Sequence, residues 1–318
     1  MIVTLTLNPA IDKSIAVERL IAEKKMRCAA MQVDAGGGGI NISKAIHELG
    51  GTSTAVYTCG GTNGGHLTRM LLEKGIPVQP VEIEGETRES FVVNEKLTNK
   101  QYRFVLPGPT IAEKELKRIE QTIDTINNVT FLVFSGSLPP GLSSDFMGRL
   151  GEMATKRGIK FIADTSGEPL KAALQNGAYL LKPSLTELCL LAGKDYLEPA
   201  EIKAAAERIL SNGRCEVLVV SMGPAGAMLV TKNKTELFTA PAVKKISTVG
   251  AGDSMVAGIV WMLEKGKRLE EAVQFGVACG TAATINSGTQ LFKKEDAIRF
   301  YEWMKEGHQP SVLMPQGA

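Results

Sequence analysis

Short apolar runs that do not alternate with polar residues recur along this 318-residue chain, and most are separated by a helical stretch that stops at glycine. Ile2-Val3-Thr4-Leu5-Thr6-Leu7 opens the series, followed by Thr54-Ala55-Val56-Tyr57 and Phe131-Leu132-Val133-Phe134. Phe161-Ile162-Ala163, Tyr179-Leu180-Leu181 and Val217-Leu218-Val219-Val220 continue it. A strand with one wet face alternates, whereas a strand covered on both faces reads as a continuous apolar run. Between the runs the spacing turns helical. Ile42, Ala45, Ile46 and Leu49 share a face that ends at Gly50-Gly51, and Leu67, Met70 and Leu71 end at Gly75. Leu116, Ile119, Ile123 and Ile126 mark a third such helix. Strand and helix in regular turn predict βαβ units, and hence an α/β fold with a mostly parallel sheet between helical layers.

Two stretches break this rhythm. Ile11 to Val33 has little helical signal, and Arg88 to Phe104 reads as a hairpin: Phe91-Val92-Val93, a polar turn at Thr98-Asn99-Lys100, then Tyr102-Arg103-Phe104-Val105. Together, segments 11–34 and 86–106 predict a small β-flap on an otherwise single domain. Such a flap can close over the carboxyl ends of the strands, where open α/β sheets bind ligands. Its exposed edges equally suit a dimer interface.

Composition narrows the function. A net charge of +2 and the lack of a basic stripe interleaved with aromatics argue against a nucleic-acid partner. The five cysteines form no C-x-x-C and the three histidines have no metal-ligand spacing, so a disulfide framework and a zinc site are both disfavoured. The amino terminus opens on a strand rather than a basic leader, and no apolar run reaches membrane-spanning length. These features predict a cytoplasmic protein with no membrane partner.

The chemistry concentrates in Thr248-Val249-Gly250-Ala251-Gly252-Asp253, which precedes a helical apolar face of Met255, Val256, Ile259 and Val260. The first N–H groups of a helix lack backbone partners, and the helix dipole there favours negative charge. Gly250, Ala251 and Gly252 would let a phosphoryl group approach those N–H groups, while Asp253 would take a proton from an attacking hydroxyl. A second glycine cluster, Gly36-Gly37-Gly38-Gly39-Ile40-Asn41, reads either as a close approach for a sugar or phosphate or as a loose turn capped by Asn41. Asp12 follows the first strand and suits either vicinal sugar hydroxyls or an ordinary turn. Lys25, Arg27, Arg88 and Arg103 fall in the flap, as cations for a substrate phosphate or as solvated edge charges. Ser135 and Ser137 lie in Ser-Gly-Ser-Leu-Pro-Pro-Gly after a buried strand, and Asp164 ends another. Ser184 and Glu187 match a capping box, or else Glu187 stands in the water shell of a magnesium ion. Ser221, Gly223 and Gly226 form a glycine turn that suits a nucleotide or a hairpin.

Gly-Gly-Gly-Gly-Ile-Asn at 36–41, Ser-Gly-Ser-Leu-Pro-Pro-Gly at 135–141 and Ser-Thr-Val-Gly-Ala-Gly-Asp-Ser at 247–254 are similar to the motifs of the ribokinase-like, phosphofructokinase-B family of sugar kinases. The resemblance runs from Thr4 to Thr289. It implies a three-layer α/β/α core with a lid, and ATP-dependent phosphorylation of a sugar phosphate. Fructose 6-phosphate comes first; tagatose 6-phosphate or fructose 1-phosphate are alternatives, and a non-catalytic regulator is a remote one. By resemblance, Asp253 is the base and the backbone of 250–253 the anion hole. Asp12, Gly37, Asn41, Arg88 and Ser137 would bind the sugar phosphate, with Lys25 reaching in from a second subunit of a homodimer joined through the flap. Relatives with other substrates carry lysine where this chain has Gly38. Lys182, Ser184, Ser221, Gly223, Gly226, Val277 and Thr281 would line ATP, with Glu187 near magnesium. Ser247, Val249 and Asn286 resemble a monovalent-cation loop, for potassium. Ser184 and Gln290 depart from the usual asparagine and arginine of the family.

Overall fold

The computed structural model describes residues 1–286 and 291–306. Its main sheet has nine strands, in the order Thr235–Phe238, Ala227–Thr231, Val217–Ser221, Leu180–Leu181, Lys160–Asp164, Phe131–Ser135, Ile2–Thr6, Ser53–Cys59 and Val78–Glu82. The pairs from Val217–Ser221 to Val78–Glu82 are parallel; the hairpin at 227–238 adds two antiparallel strands.

The apolar runs form strands because both sheet faces are covered. Ile2, Phe131, Val133 and Ile162 pack into one core with the helices Gly38–Glu48, Ala251–Glu264, Leu269–Thr284 and Lys294–Lys305. Val3, Leu5, Leu132 and Phe134 face the opposite core with Glu113–Thr125, Asp145–Lys156, Gly167–Gln175 and Pro199–Asn212. Successive side chains thus enter different cores, and each fully buried Leu, Ile or Phe contributes ~1.5–3 kcal/mol of transfer free energy.

Two elements escape the apolar-run reading. Val78–Glu82 contains Pro80 and buries only Val81, which an edge strand tolerates because one of its sides has no ladder partner. The hairpin Ala227–Thr231 and Thr235–Phe238 closes the other edge. The run at 179–181 shortens to a two-residue strand.

A separate four-stranded sheet forms the lid, in the order Gln32–Gly36, Ala10–Val17, Arg88–Glu95 and Lys100–Val105. The turn joining the last two carries Asn99 at φ 53°, a left-handed conformation that asparagine tolerates. Residue 18–31 backbone links the first two lid strands as a largely exposed loop.

The chain leaves Ile2–Thr6 in two directions. Ser53–Cys59 lies on one side of it and Phe131–Ser135 on the other. Sheets of this kind open a crevice at such a switch point, beyond the carboxyl ends of the strands. Helix Gly38–Glu48 starts there: Ile40 N–H donates to Thr6 Oγ1 at 3.0 Å.

Candidate active site

The glycine cluster begins the helix itself. The cap is Gly37 at φ 122°, so Asn41 is the fourth helical residue and not the cap. Its side chain is therefore released for other work, and Asn41 Nδ2 donates to Asp253 Oδ2 at 3.0 Å. The close approach here is to protein: a methyl at Gly38 would collide with Ser135 Oγ and come 2.7 Å from the Ser135 carbonyl carbon. A lysine at 38 would need the backbone to move.

Asp253 stands in the first turn of Ala251–Glu264, whose cap is Gly250 in the left-handed region at φ 71°. No side chain caps this helix end. Ser254 N–H already bonds the Gly250 carbonyl, and Ala251 N–H turns back to the Thr248 carbonyl at 3.4 Å. Residues 251–253 keep partial solvent access. An uncapped, glycine-lined helix start is a ready anion site. Gly280 makes this possible from behind, because a side chain there would lie 3.1 Å from the Ala251 carbonyl oxygen.

Both oxygens of Asp253 are held. Ser135 Oγ donates to Oδ1 at 3.0 Å, opposite the Asn41 bond. Burial pushes the Asp253 carboxyl above the usual range; the Asn41 and Ser135 bonds, and then Lys182, pull the other way. The net result is a carboxylate of fixed orientation and enhanced basicity. Ser135 was legible only as one serine of a motif; what marks it is its place as the last residue of a buried strand, in register with Asp164 on the next.

Asp164 and Lys182 extend the site along the sheet edge. Lys182 Nζ lies 3.1 Å from Asp164 Oδ1, and both side chains are almost fully buried. Burial outweighs the attraction of Lys182 and raises Asp164 to about 6. For Lys182, burial is the largest single effect and lowers its pKa, but Asp164, Glu187 and Asp253 together hold the ammonium protonated. A methyl on Gly252 would sit 3.5 Å from Lys182 Nζ, so this cation borders the uncapped helix start.

The lid supplies a third carboxylate, Asp12. Burial pushes Asp12 up to about 6, opposed first by Lys44 and then by Arg88. Asp12, Arg88 and Arg103 lie on one lid face, since Asp12 pairs with Ser90, and Val92, two residues on, pairs with Arg103. A methyl at Gly36 would overlap the Asp12 carboxylate. Arg88 is largely engaged already: Nε and Nη2 donate to the Asn8 carbonyl at 3.2 and 3.1 Å, and Nη1 to the Leu106 carbonyl at 3.1 Å. It ties the lid to the core. Ser137 accepts from Asn8 Nδ2 at 3.0 Å. Lys25 and Arg27 sit on the exposed loop 18–31 and, among the described residues, bond none of this cluster.

The remaining positions divide. Ser184 and Glu187 form the capping box: Glu187 Oε2 accepts from Ser184 N–H at 2.7 Å, and Ser184 Oγ from Glu187 N–H at 3.2 Å. Ser221 N–H bonds the Pro183 carbonyl and so joins this loop to the sheet edge. Gly223, at φ 58°, has open space where a side chain would be, whereas a methyl at Gly226 would overlap the Phe238 carbonyl oxygen. The hairpin alone thus demands glycine at 226. Val277 and Thr281 are both buried, and Thr281 Oγ1 donates to the Val277 carbonyl. Segments 246–249 and 284–286 are stitched together, since Ile246 and Ser247 N–H both bond the Thr284 carbonyl. Val249 N–H donates to Ser247 Oγ, and Asn286 Nδ2 to the Ala282 and Leu291 carbonyls. Gln290 lies outside the described residues.

The family model for pfkB family carbohydrate kinases matches residues 5–296. The chain belongs to that family. It is 41% identical to the ATP-dependent 6-phosphofructokinase isozyme 2 of Escherichia coli K12, over 95% of this chain and 98% of that one. A crystal structure of phosphofructokinase-2 from Escherichia coli in complex with potassium matches at TM-score 0.91 and 40% identity, covering 96% and 99% of the two chains. That protein in complex with fructose-6-phosphate matches at TM-score 0.90 and 39% identity, over the same shares. The ribokinase-like carbohydrate-kinase fold expected from the motifs is therefore the fold of this chain, and its activity is ATP-dependent kinase chemistry on a sugar phosphate.

Proposed function

We propose that this pfkB-family kinase phosphorylates fructose 6-phosphate at its primary hydroxyl, making fructose 1,6-bisphosphate. One observation carries the reading: an uncapped helix start and a doubly held carboxylate occupy the same turn, beside a buried ammonium. Phosphoryl transfer to an alcohol needs these parts and few others. The likeness to the 6-phosphofructokinase isozyme supports the choice of sugar phosphate.

The acceptor hydroxyl sits at Asp253 and attacks the γ-phosphoryl in line. Transition states of this type are loose, so the proton leaves late and a carboxylate is base enough. The N–H groups of Gly252 and Asp253 meet the transferring oxygens, and Lys182 adds a full positive charge beside them. Asn41 and Ser135 aim the base, so the bound state needs little reorganisation. Asp12 accepts from sugar hydroxyls, and Arg103, with what remains of Arg88, offsets the substrate phosphate. The lid excludes water when it closes, limiting futile ATP hydrolysis. Gly223 and Ser221 border the nucleotide, and Val277 and Thr281 support it from the core behind.

The oxygen donors of Glu187 and Asp164 suit magnesium, which prefers hard oxygen ligands and retains water. Bound there, magnesium would neutralise charge on the ATP phosphates. The loops at 246–249 and 284–286 bring a hydroxyl and carbonyl groups together, a donor set that suits potassium. The strand Lys100–Val105 is exposed along its length, with Tyr102, Phe104 and Val105 interspersed among Lys100, Gln101 and Arg103. An exposed sheet edge carrying three large apolar side chains is suited to cover by a second copy, which would bring Lys25 to the neighbouring site.

A panel of fructose 6-phosphate, tagatose 6-phosphate, fructose 1-phosphate and fructose with Mg-ATP tests the reading. Fructose 6-phosphate should have the highest kcat/KM; parity with fructose would refute the phosphate-binding role of the lid. In Asp253→Asn, kcat should fall ~10²–10⁴-fold with ATP binding kept. Near-normal turnover would overturn the assignment of the base.

A further inference from the structure

Helix Gly38–Glu48 carries Asn41 at the active site, and its outward stripe continues through Lys44 to His47 and Glu48. Over that stripe lies a second cavity, of about 480 Å³. Among the described residues, Asp34, Lys44, Lys74 and Lys293 line it, together with His47, Glu48 and Asn286 of the 284–286 loop; Asp12, Asn41, Arg88 and Asp253 do not. The volume falls within the ~300–1,000 Å³ usual for small-molecule sites.

The charge balance favours an anion. Among the described residues, three lysines line the cavity against two carboxylates, a net positive charge even though Lys74 is shared with Asp34. Lys74 Nζ lies 3.6 Å from Asp34, and Glu48 Oε1 accepts from Lys294 N–H at 3.1 Å. Lys44 Nζ spends one donor on the Ala35 carbonyl at 3.1 Å, which leaves two. Burial lowers its pKa, so an anion placed beside it would restore the favoured charge. Ile76, Leu291 and Phe292 give the cavity an apolar side for a carbon skeleton.

We propose that this cavity is a second, non-catalytic binding site for a small phosphorylated metabolite, its phosphoryl group held by Lys44, Lys74 and Lys293. Its position suits regulation. Lys44 is one of the charges that Asp12 and Asp253 feel, and it lies one helical turn beyond Asn41. A ligand there acts on the sugar site through the same helix and the same ammonium. The proposal does not depend on which sugar the kinase uses.

Isothermal titration of inorganic phosphate into the full-length protein, with and without saturating fructose 6-phosphate, tests it. Saturable binding should persist with the sugar phosphate present. In the double variant Lys74→Ala/Lys293→Ala it should weaken by about tenfold or more, since two charge-assisted contacts are lost. Both lysines are on the surface, and unchanged Tm and unchanged turnover in phosphate-free buffer will show that the variant is folded. Absence of saturable binding, undiminished binding in the variant, or displacement by fructose 6-phosphate would each overturn the proposal. Displacement would place the phosphate in the active site.

Discussion

Removing the hydroxyl of Ser135 isolates one support of Asp253. In Ser135→Ala the bond to Oδ1 is lost, while Asn41 still holds Oδ2. A hydrogen bond to a charged group contributes ~1.5–3 kcal/mol. At ~1.36 kcal/mol per decade, kcat should fall by about 10- to 100-fold, provided the bond serves the transition state. The KM for ATP should hardly change, because Ser135 touches the base and not the anion site. The pH profile gives a second, independent reading. Ser135 favours the ionised carboxylate, so its removal raises the Asp253 pKa further. Only the ionised form accepts the proton, so the acid limb of kcat must move to higher pH. Steady-state kinetics from pH 5 to pH 9, with Tm as a control, make the assay. A natively folded variant whose kcat stays within about threefold, below the ~1.5 kcal/mol floor for such a bond, with an unmoved limb would refute the reasoning.

Other outcomes follow from the lid. The folded-state pKa of Asp12 is raised from 3.8 to about 6, so the fold binds its proton more tightly than the unfolded chain does. Asp12 therefore costs nothing at low pH, and its penalty develops as pH rises from about 4 to 6, reaching at most ~3 kcal/mol. Asp12→Asn should thus gain Tm over wild type at pH 8 and lose that advantage near pH 4; a gain independent of pH would contradict the burial argument. In Arg88→Ala the carbonyls of Asn8 and Leu106 lose their donors. The KM for the sugar phosphate should rise more than that for ATP, and Tm should fall by a few degrees, since each bond contributes ~0.5–1.5 kcal/mol. Equal effects on the two substrates would detach Arg88 from the sugar side.

The layered architecture was legible in the sequence because burial on both faces leaves a direct trace. Phe131–Phe134 and Val217–Val220 are apolar at every position, and no partly wet strand would be. The uncapped helix start was legible for a similar reason: glycines stand where Ser, Thr, Asp or Asn would otherwise cap it. Composition alone fixed less at the rims. Val78–Glu82 and Thr235–Phe238 are the two edge strands, where one side lacks a ladder partner and the apolar pattern weakens.

Side-chain meetings across the fold were decided only in three dimensions. Asn41 and Asp253 are 212 residues apart, and Ser135 and Asp253 are 118 apart. No local spacing encodes such pairs; they arise because strand ends and helix starts converge on one crevice. The glycines at 36 and 38 show the same division. Their presence announced a close approach, but the partners proved to be the Asp12 carboxylate and the Ser135 hydroxyl. Residue order determined which pieces form and which helix start stays uncapped. Packing determined which side chains hold Asp253, since that depends on distances the linear chain does not contain.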